Sequence, residues 1–229
     1  MHTRLRPLAA LALAASLPAG ALAAPTVYTD PSAFMAQTWA AGSPSTVGFD
    51  AAADGTAIGD GGSFDGLTFH YSTLASFGVT LNVVTDSVNV SAGNVLGTDD
   101  GGLLQDGDEF DLDFGASNAI GMYFITESFG GMFDGDITLS AGGATAELLT
   151  ADLITTIDNL YEVYFLGIVD TAATFTSASV GNIGGGFFTY TVDDITTGRT
   201  TTANNAVPLP GTLALVMAGL VAWLPTRRR

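Results

Sequence analysis

Cysteine is absent from this sequence of 229 residues, and so is lysine. Without cysteine the chain has no disulfide bonds, no thiolate metal sites and no cysteine nucleophile. The six basic residues are all arginines, and five of them lie in the terminal segments: Arg4, Arg6, Arg227, Arg228 and Arg229. Between residues 24 and 206, Arg199 is therefore the one cation against all 23 carboxylates, a formal charge of −22. A negative field of that size repels nucleic acid and anionic lipid, so we expect no nucleic acid partner and consider cations, neutral glycans and other proteins.

The motifs of common catalytic sites are also absent. The sequence contains no G-x-S-x-G, no phosphate-binding loop and no H-E-x-x-H, and its only histidine after the second residue is His70, in a strand-like run. We therefore predict that the protein is not an enzyme. The alternative is a secreted, polysaccharide-active hydrolase with two paired carboxylates, which need no proximity in sequence. Its candidates are Glu109, Glu127, Glu147 and Glu162.

The N-terminal segment has the three parts of a secretory signal peptide. A basic start precedes an apolar run from Leu8 to Leu17, and Ala21-Leu22-Ala23 matches the small-x-small pattern that signal peptidase accepts. We expect a signal helix over residues 1–23, cleavage at this pattern, and a mature protein that begins near Ala24.

From residue 45 to residue 195 the pattern is that of β-structure. Short runs rich in Val, Ile, Phe, Tyr and Thr alternate with Gly and Asp, and Asp-Gly, a dipeptide of tight hairpin turns, occurs six times. About ten strands at near-even spacing, with no long helices between them, predict an all-β, antiparallel β-sandwich domain over residues 24–195. One short helix precedes the strands, with Asp30 as N-cap and Pro31 at its first position.

The C-terminal part of the sequence changes character twice. Residues 196–206, TTGRTTTANNA, have no apolar period and are typical of a linker. Residues 207–229 combine a Pro-x-Pro element, an apolar stretch of 14 residues from Gly211 to Leu224, and three arginines. A membrane span needs about 20 apolar residues, so the predicted C-terminal hydrophobic helix is marginal as a span. By the positive-inside rule the arginines stay in the cytoplasm while the acidic domain lies outside.

The order of features in residues 207–229 resembles the PEP-CTERM sorting signal of Gram-negative bacteria that make extracellular polysaccharide. The motif of that family is usually Val-Pro-Glu-Pro, and here it is Val207-Pro208-Leu209-Pro210, so both prolines match and leucine replaces glutamate. The cluster of Arg227, Arg228 and Arg229 matches the basic end of the signal. The resemblance implies an exosortase-like processing enzyme as partner, a membrane contact through the C-terminal helix before processing, and export to the cell surface or extracellular matrix.

Three stretches of the domain are similar in order and type to strands of exported jelly-roll sandwiches related to carbohydrate-binding modules: EFDLDFGASNAIGMYF, YFLGIVDTAATFTSASV and FFTYTVDDI. This resemblance implies a jelly-roll fold and a binding or structural role beside extracellular polysaccharide, as in a biofilm matrix. The sequence singles out no sugar-binding platform, because the domain has one tryptophan, Trp39, and most of its six tyrosines lie in strand patterns. A simpler alternative is a surface protein that the C-terminal helix anchors in the membrane.

Three acidic clusters are candidates for calcium, which prefers several oxygen ligands. They are Asp99 and Asp100 with Asp106, Asp108 and Glu109; Asp134 with Asp136; and Asp193 with Asp194. In FFTYTVDDI, Asp194 shares the face of the apolar residues Tyr190 and Val192 unless a bulge intervenes, and a carboxylate there needs hydrogen bonds, a proton or a cation. The jelly-roll resemblance implies a structural calcium between acids near the first and last strands, here Asp50 and Asp194. The alternative is a strand-end aspartate capped by backbone amides.

Overall fold

The structure, a computed structural model, describes residues 23–39, 42–85, 89–91, 93–128, 132–182 and 188–200. The predicted signal segment up to residue 22, the sorting motif, the C-terminal hydrophobic helix and the arginine cluster lie outside these residues, so those predictions stay predictions. Within the described ranges, no helix has the length and apolar character needed to cross a membrane.

The described part of the fold contains two α-helices, sixteen β-strands and one short 3-10 helix at Thr150–Asp152. The helices are α1 (Pro31–Trp39) and α2 (Ser72–Phe77). The strands are β1 (Thr26–Tyr28), β2 (Ser45–Val47), β3 (Ala57–Ile58), β4 (Gly62–Phe64), β5 (Leu67–His70), β6 (Leu81–Thr85), β7 (Asn94–Thr98), β8 (Leu104–Gln105), β9 (Phe110–Ser117), β10 (Ala119–Glu127), β11 (Ile137–Ala141), β12 (Ala144–Glu147), β13 (Thr155–Ile157), β14 (Tyr161–Val169), β15 (Phe175–Asn182) and β16 (Thr189–Gly198).

Two antiparallel sheets divide these strands. The order in the first sheet is β1-β14-β10-β16-β7-β6-β3, with β13 also paired to β14, and with β2 and β8 also paired to β16. The order in the second sheet is β12-β11-β15-β9-β5-β4. Each strand pairs only with antiparallel neighbours among the described residues. The prediction of an all-β, antiparallel fold is therefore confirmed.

The main hydrophobic core takes side chains from both sheets, which therefore pack face to face as a sandwich. Strand β9 shows how the sequence determines this packing. Phe110 and Leu112 are buried while Asp111 and Asp113 are exposed. Alternate residues of a strand point to opposite faces, so the period of two in EFDLDFG gives β9 one core face and one solvated face, as predicted.

Helix α1 begins where the sequence predicts it. Oδ1 of Asp30 accepts hydrogen bonds from the backbone N–H groups of Ser32 (2.8 Å) and Ala33 (3.3 Å), which is the geometry of an N-cap. The helix packs on the first sheet through Phe34, which is fully buried in a second apolar cluster on the face away from the main core. Gly167 on β14 makes room for it, because a Cβ there would lie 2.6 Å from the Phe34 ring.

Helix α2 is an element that the sequence pattern does not reveal. Its six residues lie between two strand-like runs and are too few for a helical period to be recognised. Gly78 ends it with a left-handed φ of 76°, and its N–H bonds to the carbonyl of Ala75. The N–H of Val79 bonds to the carbonyl of Leu74 (3.0 Å), which completes a Schellman cap. The prediction of a single short helix in the domain is therefore incomplete.

The turn between β4 and β5 uses one of the Asp-Gly dipeptides. Asp65 and Gly66 have φ angles of 44° and 88° and connect the paired residues Phe64 and Leu67. A two-residue turn with positive φ at both positions matches the twist of a hairpin, and Asp-Gly is among the pairs that adopt it at least cost. The turn places the Asp65 side chain at one end of the second sheet.

The structure moves the end of the domain beyond the predicted boundary. Strand β16 continues to Gly198, so residues 196–198 of the predicted linker belong to the sheet. Thr200 is buried, and its N–H donates to Oδ1 of Asn118 (2.6 Å). The threonine content of residues 196–198 does not distinguish a linker from a strand, because threonine is common in both. In strands its branched side chain fits the pleated surface.

Candidate functional site

The two aspartates predicted as a calcium pair lie close to each other. Asp50 follows β2, and Asp194 is part of β16, the strand that pairs with β2. A Cβ placed on Gly48 would lie 3.2 Å from Oδ1 of Asp194 and 3.9 Å from Oδ2 of Asp50. The antiparallel pairing of β2 with β16 thus brings together two carboxylates that are far apart in sequence.

A β-bulge changes the direction in which Asp194 points. The pairing of β16 with β10 shifts register next to Asp194, whose φ of 49° is left-handed. Ile195, which is fully buried, takes the place in the core that strict alternation after Val192 would give to Asp194. The expectation that Asp194 shares the core face is therefore corrected, because one extra residue reverses the alternation.

Asp193, which the sequence places in the third acidic cluster without a role of its own, is the fully buried acid of this site. Its Oδ2 accepts hydrogen bonds from the backbone N–H groups of Val90 (3.1 Å) and Ser91 (3.0 Å), and its Oδ1 accepts one from the N–H of Asp194 (2.8 Å). Several such charge-assisted bonds offset the cost of burying a carboxylate. Two of the donors come from a segment about a hundred positions away in sequence, so no local pattern signals this role.

Ser91 links the acids. Its hydroxyl lies 3.1 Å from Oδ2 of Asp193 and 3.4 Å from Oδ1 of Asp50, so it can donate to either carboxylate. Oδ1 of Asp50 also accepts the backbone N–H of Asn94 (3.1 Å), the first residue of β7. These contacts tie β2, β7 and β16 together at one point of the first sheet.

The Asp194 carboxylate accepts fewer hydrogen bonds from described residues than those of Asp193 and Asp50. Burial raises its pKa to about 6, and repulsion from Asp193 and Asp50 acts in the same direction. Burial, with the charges of Asp194 and Asp193, also raises the pKa of the Tyr123 hydroxyl. The cluster therefore has negative charge that its hydrogen bonds do not fully offset, and a proton or a cation at Asp194 would stabilise it.

The residues present meet the requirements of calcium only in part. Calcium takes about six to eight oxygen ligands, whereas in the described ranges no group of three or more His, Cys, Asp or Glu side chains is arranged to hold a metal ion. Asp193 and Oδ1 of Asp50 already accept N–H and O–H donors. The free ligands are Oδ2 of Asp50 and the Asp194 carboxylate, so most of the coordination would have to come from other oxygens. The calcium site stays a prediction.

The other two acidic clusters show aspartates that cap turns. Asp134 accepts the N–H (2.7 Å) and the hydroxyl (2.8 Å) of Thr150, and these hydrogen bonds lower the pKa of Asp134. Oδ2 of Asp136 accepts the backbone N–H three residues before it (2.6 Å), and Oδ2 of Asp108 accepts that of Gln105 (2.6 Å). This is the arrangement that the sequence leaves open as the alternative to metal binding.

Two of the four glutamates considered for paired-carboxylate chemistry lie on adjacent strands. In the register of β10 with β14, Glu127 pairs with Tyr161 and Glu162 pairs with Thr126. Directly opposite residues share a face and successive residues alternate, so Glu127 and Glu162 leave the sheet on opposite faces. The hydroxyl of Tyr164 donates to Glu162 (2.7 Å). These two acids therefore do not face each other across a cleft.

His70 lies on the solvated face of the second sheet and is partly exposed. Its Nε2 is 3.3 Å from Oδ2 of Asp113 on the neighbouring strand β9, and its Nδ1 is 3.9 Å from Oδ1 of Asp60. On the same face the Ser179 hydroxyl donates to Asp111. These contacts join His70 to the neighbouring strand β9 and to the turn that contains Asp60.

Comparisons with known proteins assign no family to the chain. No protein-family model matches it, and no curated protein matches it at a significant level. Its function is therefore argued from its own residues.

Proposed function

We propose that the protein is exported and acts at the cell surface or in the extracellular matrix as a non-enzymatic binding or structural component associated with polysaccharide. The sequence of residues 207–229 carries this proposal, because a Val-Pro-x-Pro motif, an apolar stretch and an arginine cluster follow one another in the order of a PEP-CTERM sorting signal. An exosortase-like enzyme reads the motif, and the C-terminal helix holds the precursor in the membrane until then.

The described domain is compatible in its chemistry with this route. It is an antiparallel sandwich whose two sheets share one core, so it can be stable outside the cell without disulfide bonds. Its charge of −22 keeps it away from nucleic acid and anionic membrane surfaces. We also assign the sandwich to the jelly-roll type, on the similarity of β9, β10, β14, β15 and β16 to strands of carbohydrate-binding modules.

Substitution of the motif prolines tests the proposal in the native host. Wild type and the double variant Pro208→Ala/Pro210→Ala are compared by cell fractionation and by blotting with an antibody against the domain. We expect a shortened wild type outside the inner membrane, and an unshortened double variant that stays in the membrane because the processing enzyme no longer recognises it.

A matched control lies in the preceding segment. Asn204→Ala/Asn205→Ala changes two polar residues just before the motif and should be processed like wild type. Normal shortening of the proline variant would contradict the proposal. A wild type that stays unshortened in the membrane would contradict it as well, and would favour permanent anchoring.

A further inference from the structure

Arg199 is the one cation of residues 24–206, and it forms no ion pair with any described carboxylate. Its Nε donates to the carbonyl of Ala116 (3.2 Å), which fixes the guanidinium beside the end of β9. Its two Nη groups make no hydrogen bond to another described residue. An exposed arginine that pairs with none of the described carboxylates keeps most of its donors available for a ligand.

Two adjoining clefts meet at this side chain and form what we call the Arg199 groove. One cleft, of about 420 Å³, extends from Arg199 to Asp65 in the turn between β4 and β5. The other, of about 300 Å³, extends from Arg199 to Gly42 and Ser43. Both clefts are lined by the same three hydroxyl residues: Ser45, Ser117 and Thr197. Each volume is within the range of small-molecule sites, about 300–1,000 Å³.

The lining of the Arg199 groove combines donors, acceptors and an apolar wall. The guanidinium donates, the Asp65 carboxylate accepts, and the hydroxyls of Ser45 and Thr197, which bond to no other described side chain, can do both. Phe114 adds the small part of its ring that is exposed, 9% of the residue, while the rest packs in the core and edge-on against Phe175 at a ring separation of 6.0 Å. A sugar ring offers hydroxyl groups to the polar side chains of the groove and an apolar C–H face to Phe114.

The charges favour a neutral ligand over an anionic one. Asp65 and Arg199 cancel each other within the groove, whereas the domain around it carries −22. A polyanion would meet that field along every approach, although salt screens it beyond roughly 8 Å. A neutral polyol meets no such repulsion and still uses the donors and acceptors of the groove.

The backbone of Trp39 lies next to the Gly42 end of the groove, although its exposed side chain is not among the residues that line either cleft. Trp39, the last residue of α1, is 59% exposed, and its carbonyl accepts the N–H of Gly42 (3.3 Å). The preceding residue, Thr38, packs beside the groove, since a Cβ on Gly198 would lie 3.4 Å from its Cβ. Exposed aromatic rings are rigid apolar platforms for a ligand that is otherwise polar.

We propose that the Arg199 groove binds a segment of a neutral polysaccharide, with Arg199 and Asp65 hydrogen-bonded to sugar hydroxyls. The biological meaning of this site rests on the proposed extracellular function. The groove adds to that function a class of ligand and the residues that contact it. The binding itself can be measured whether or not the C-terminal tail is processed.

The test uses the full chain in mild detergent with Trp223→Phe, which leaves Trp39 as the sole tryptophan. Calorimetry and Trp39 fluorescence follow titration with neutral hexasaccharides of glucose, mannose and xylose and with acidic hexamers of guluronate and galacturonate. We expect a neutral hexamer to bind at least about tenfold more tightly than the acidic ones. Arg199→Ala and Asp65→Asn should each weaken that binding about tenfold, the effect of losing one charge-assisted hydrogen bond.

The controls separate binding from folding. Asparagine tolerates the positive φ at position 65, so Asp65→Asn keeps the turn. The matched variant Asp113→Asn, on the exposed face of β9, should bind like wild type, and all variants should unfold within about 2 °C of one another. Three results would overturn the proposal: no neutral hexamer binds, an acidic hexamer binds more tightly, or neither groove variant weakens binding. None of them bears on sorting, so the proposed function is judged separately.

Discussion

The carboxyl group of Asp194 lies beside Asp193 and Asp50, where burial and repulsion raise its pKa to about 6. In the unfolded chain an aspartate has a pKa of about 3.9. Between about pH 4 and pH 6 the folded protein therefore binds more protons at this site than the unfolded chain does. The free energy of unfolding contributed by Asp194 falls as the pH rises through that window and stays low above it.

Asp194→Asn should remove this penalty without changing the shape of the bulge, since asparagine tolerates a left-handed φ. At pH 7 we expect the free energy of unfolding to rise by about 1 kcal/mol, a figure reduced for partial exposure of the group. At pH 4 the gain should vanish, because wild-type Asp194 is then protonated in the folded state. Urea denaturation with chelator at both pH values measures this change in the free energy of unfolding. A gain of equal size at pH 4, or no gain at pH 7, would show that the pKa of Asp194 is not raised.

Calcium provides the second arm of the same experiment. If Asp50 and Asp194 hold the ion, calcium in place of chelator raises the thermal midpoint of wild type and leaves Asp194→Asn unchanged, because only the folded wild type binds. Equal wild-type midpoints with calcium and with chelator would refute the calcium prediction.

The sequence identifies which aspartates belong to the cluster of Asp50, Asp193 and Asp194, but it does not reveal which of them is buried or hydrogen-bonded. The calcium prediction pairs Asp50 with Asp194, and the structure brings these two side chains close together, while the calcium itself stays a prediction. The roles of Asp193 and Ser91 could not be predicted, because a register shift and a distant loop create them. Arg199 stood out only as a charge, since the groove around it forms when β2, β9 and β16 come together.

Helix α1 offers a test at the scale of one element. Phe34 is fully buried and fills the space above Gly167, so Phe34→Ala should lower the free energy of unfolding by about 3–5 kcal/mol through lost burial and a cavity. Gly167→Ala should cost about 1–3 kcal/mol, because the new methyl group meets the Phe34 ring. Denaturant unfolding of both single variants and of the double variant measures the two costs and their coupling.

The double variant separates this contact from general damage to the strand. With Phe34 removed, Gly167→Ala should cost clearly less than it does alone, although the neighbouring ring of Phe165 keeps part of the clash. Gly115→Ala on β9 is the matched control, since a Cβ there meets nothing within 4 Å. Additive effects of Phe34→Ala and Gly167→Ala would contradict the docking described here.

The elements that the sequence predicts are those with a strong local signal. Helix α1 has its cap and proline, and strand β9 has its period of two. Strand β7, NVLGT, is buried along its whole length, so its sequence shows no alternation of apolar and polar residues. Strands β3 and β8 have two residues each, which are too few for a period to be recognised. Helix α2 is likewise defined by its cap and by the burial of Leu74 more than by its own pattern.

For the molecule as a whole, the distribution of charge along the chain is the one that the proposed export would require. All 23 carboxylates lie between residues 24 and 206, and the arginines of the terminal segments are separated from them. This segregation agrees with a precursor whose basic ends stay on the cytoplasmic side while the acidic domain crosses. The two terminal segments would then be targeting signals that are removed, and the mature protein would consist of the domain alone.

Intact-mass spectrometry of the protein recovered from the surface or medium of its native host shows whether both terminal segments are removed. We predict a chain that begins near Ala24 and ends within Val207–Pro210, without Arg227, Arg228 and Arg229. A recovered chain that still carries all three arginines would show that the C-terminal segment is retained, and would rule out processing at the Val207–Pro210 motif.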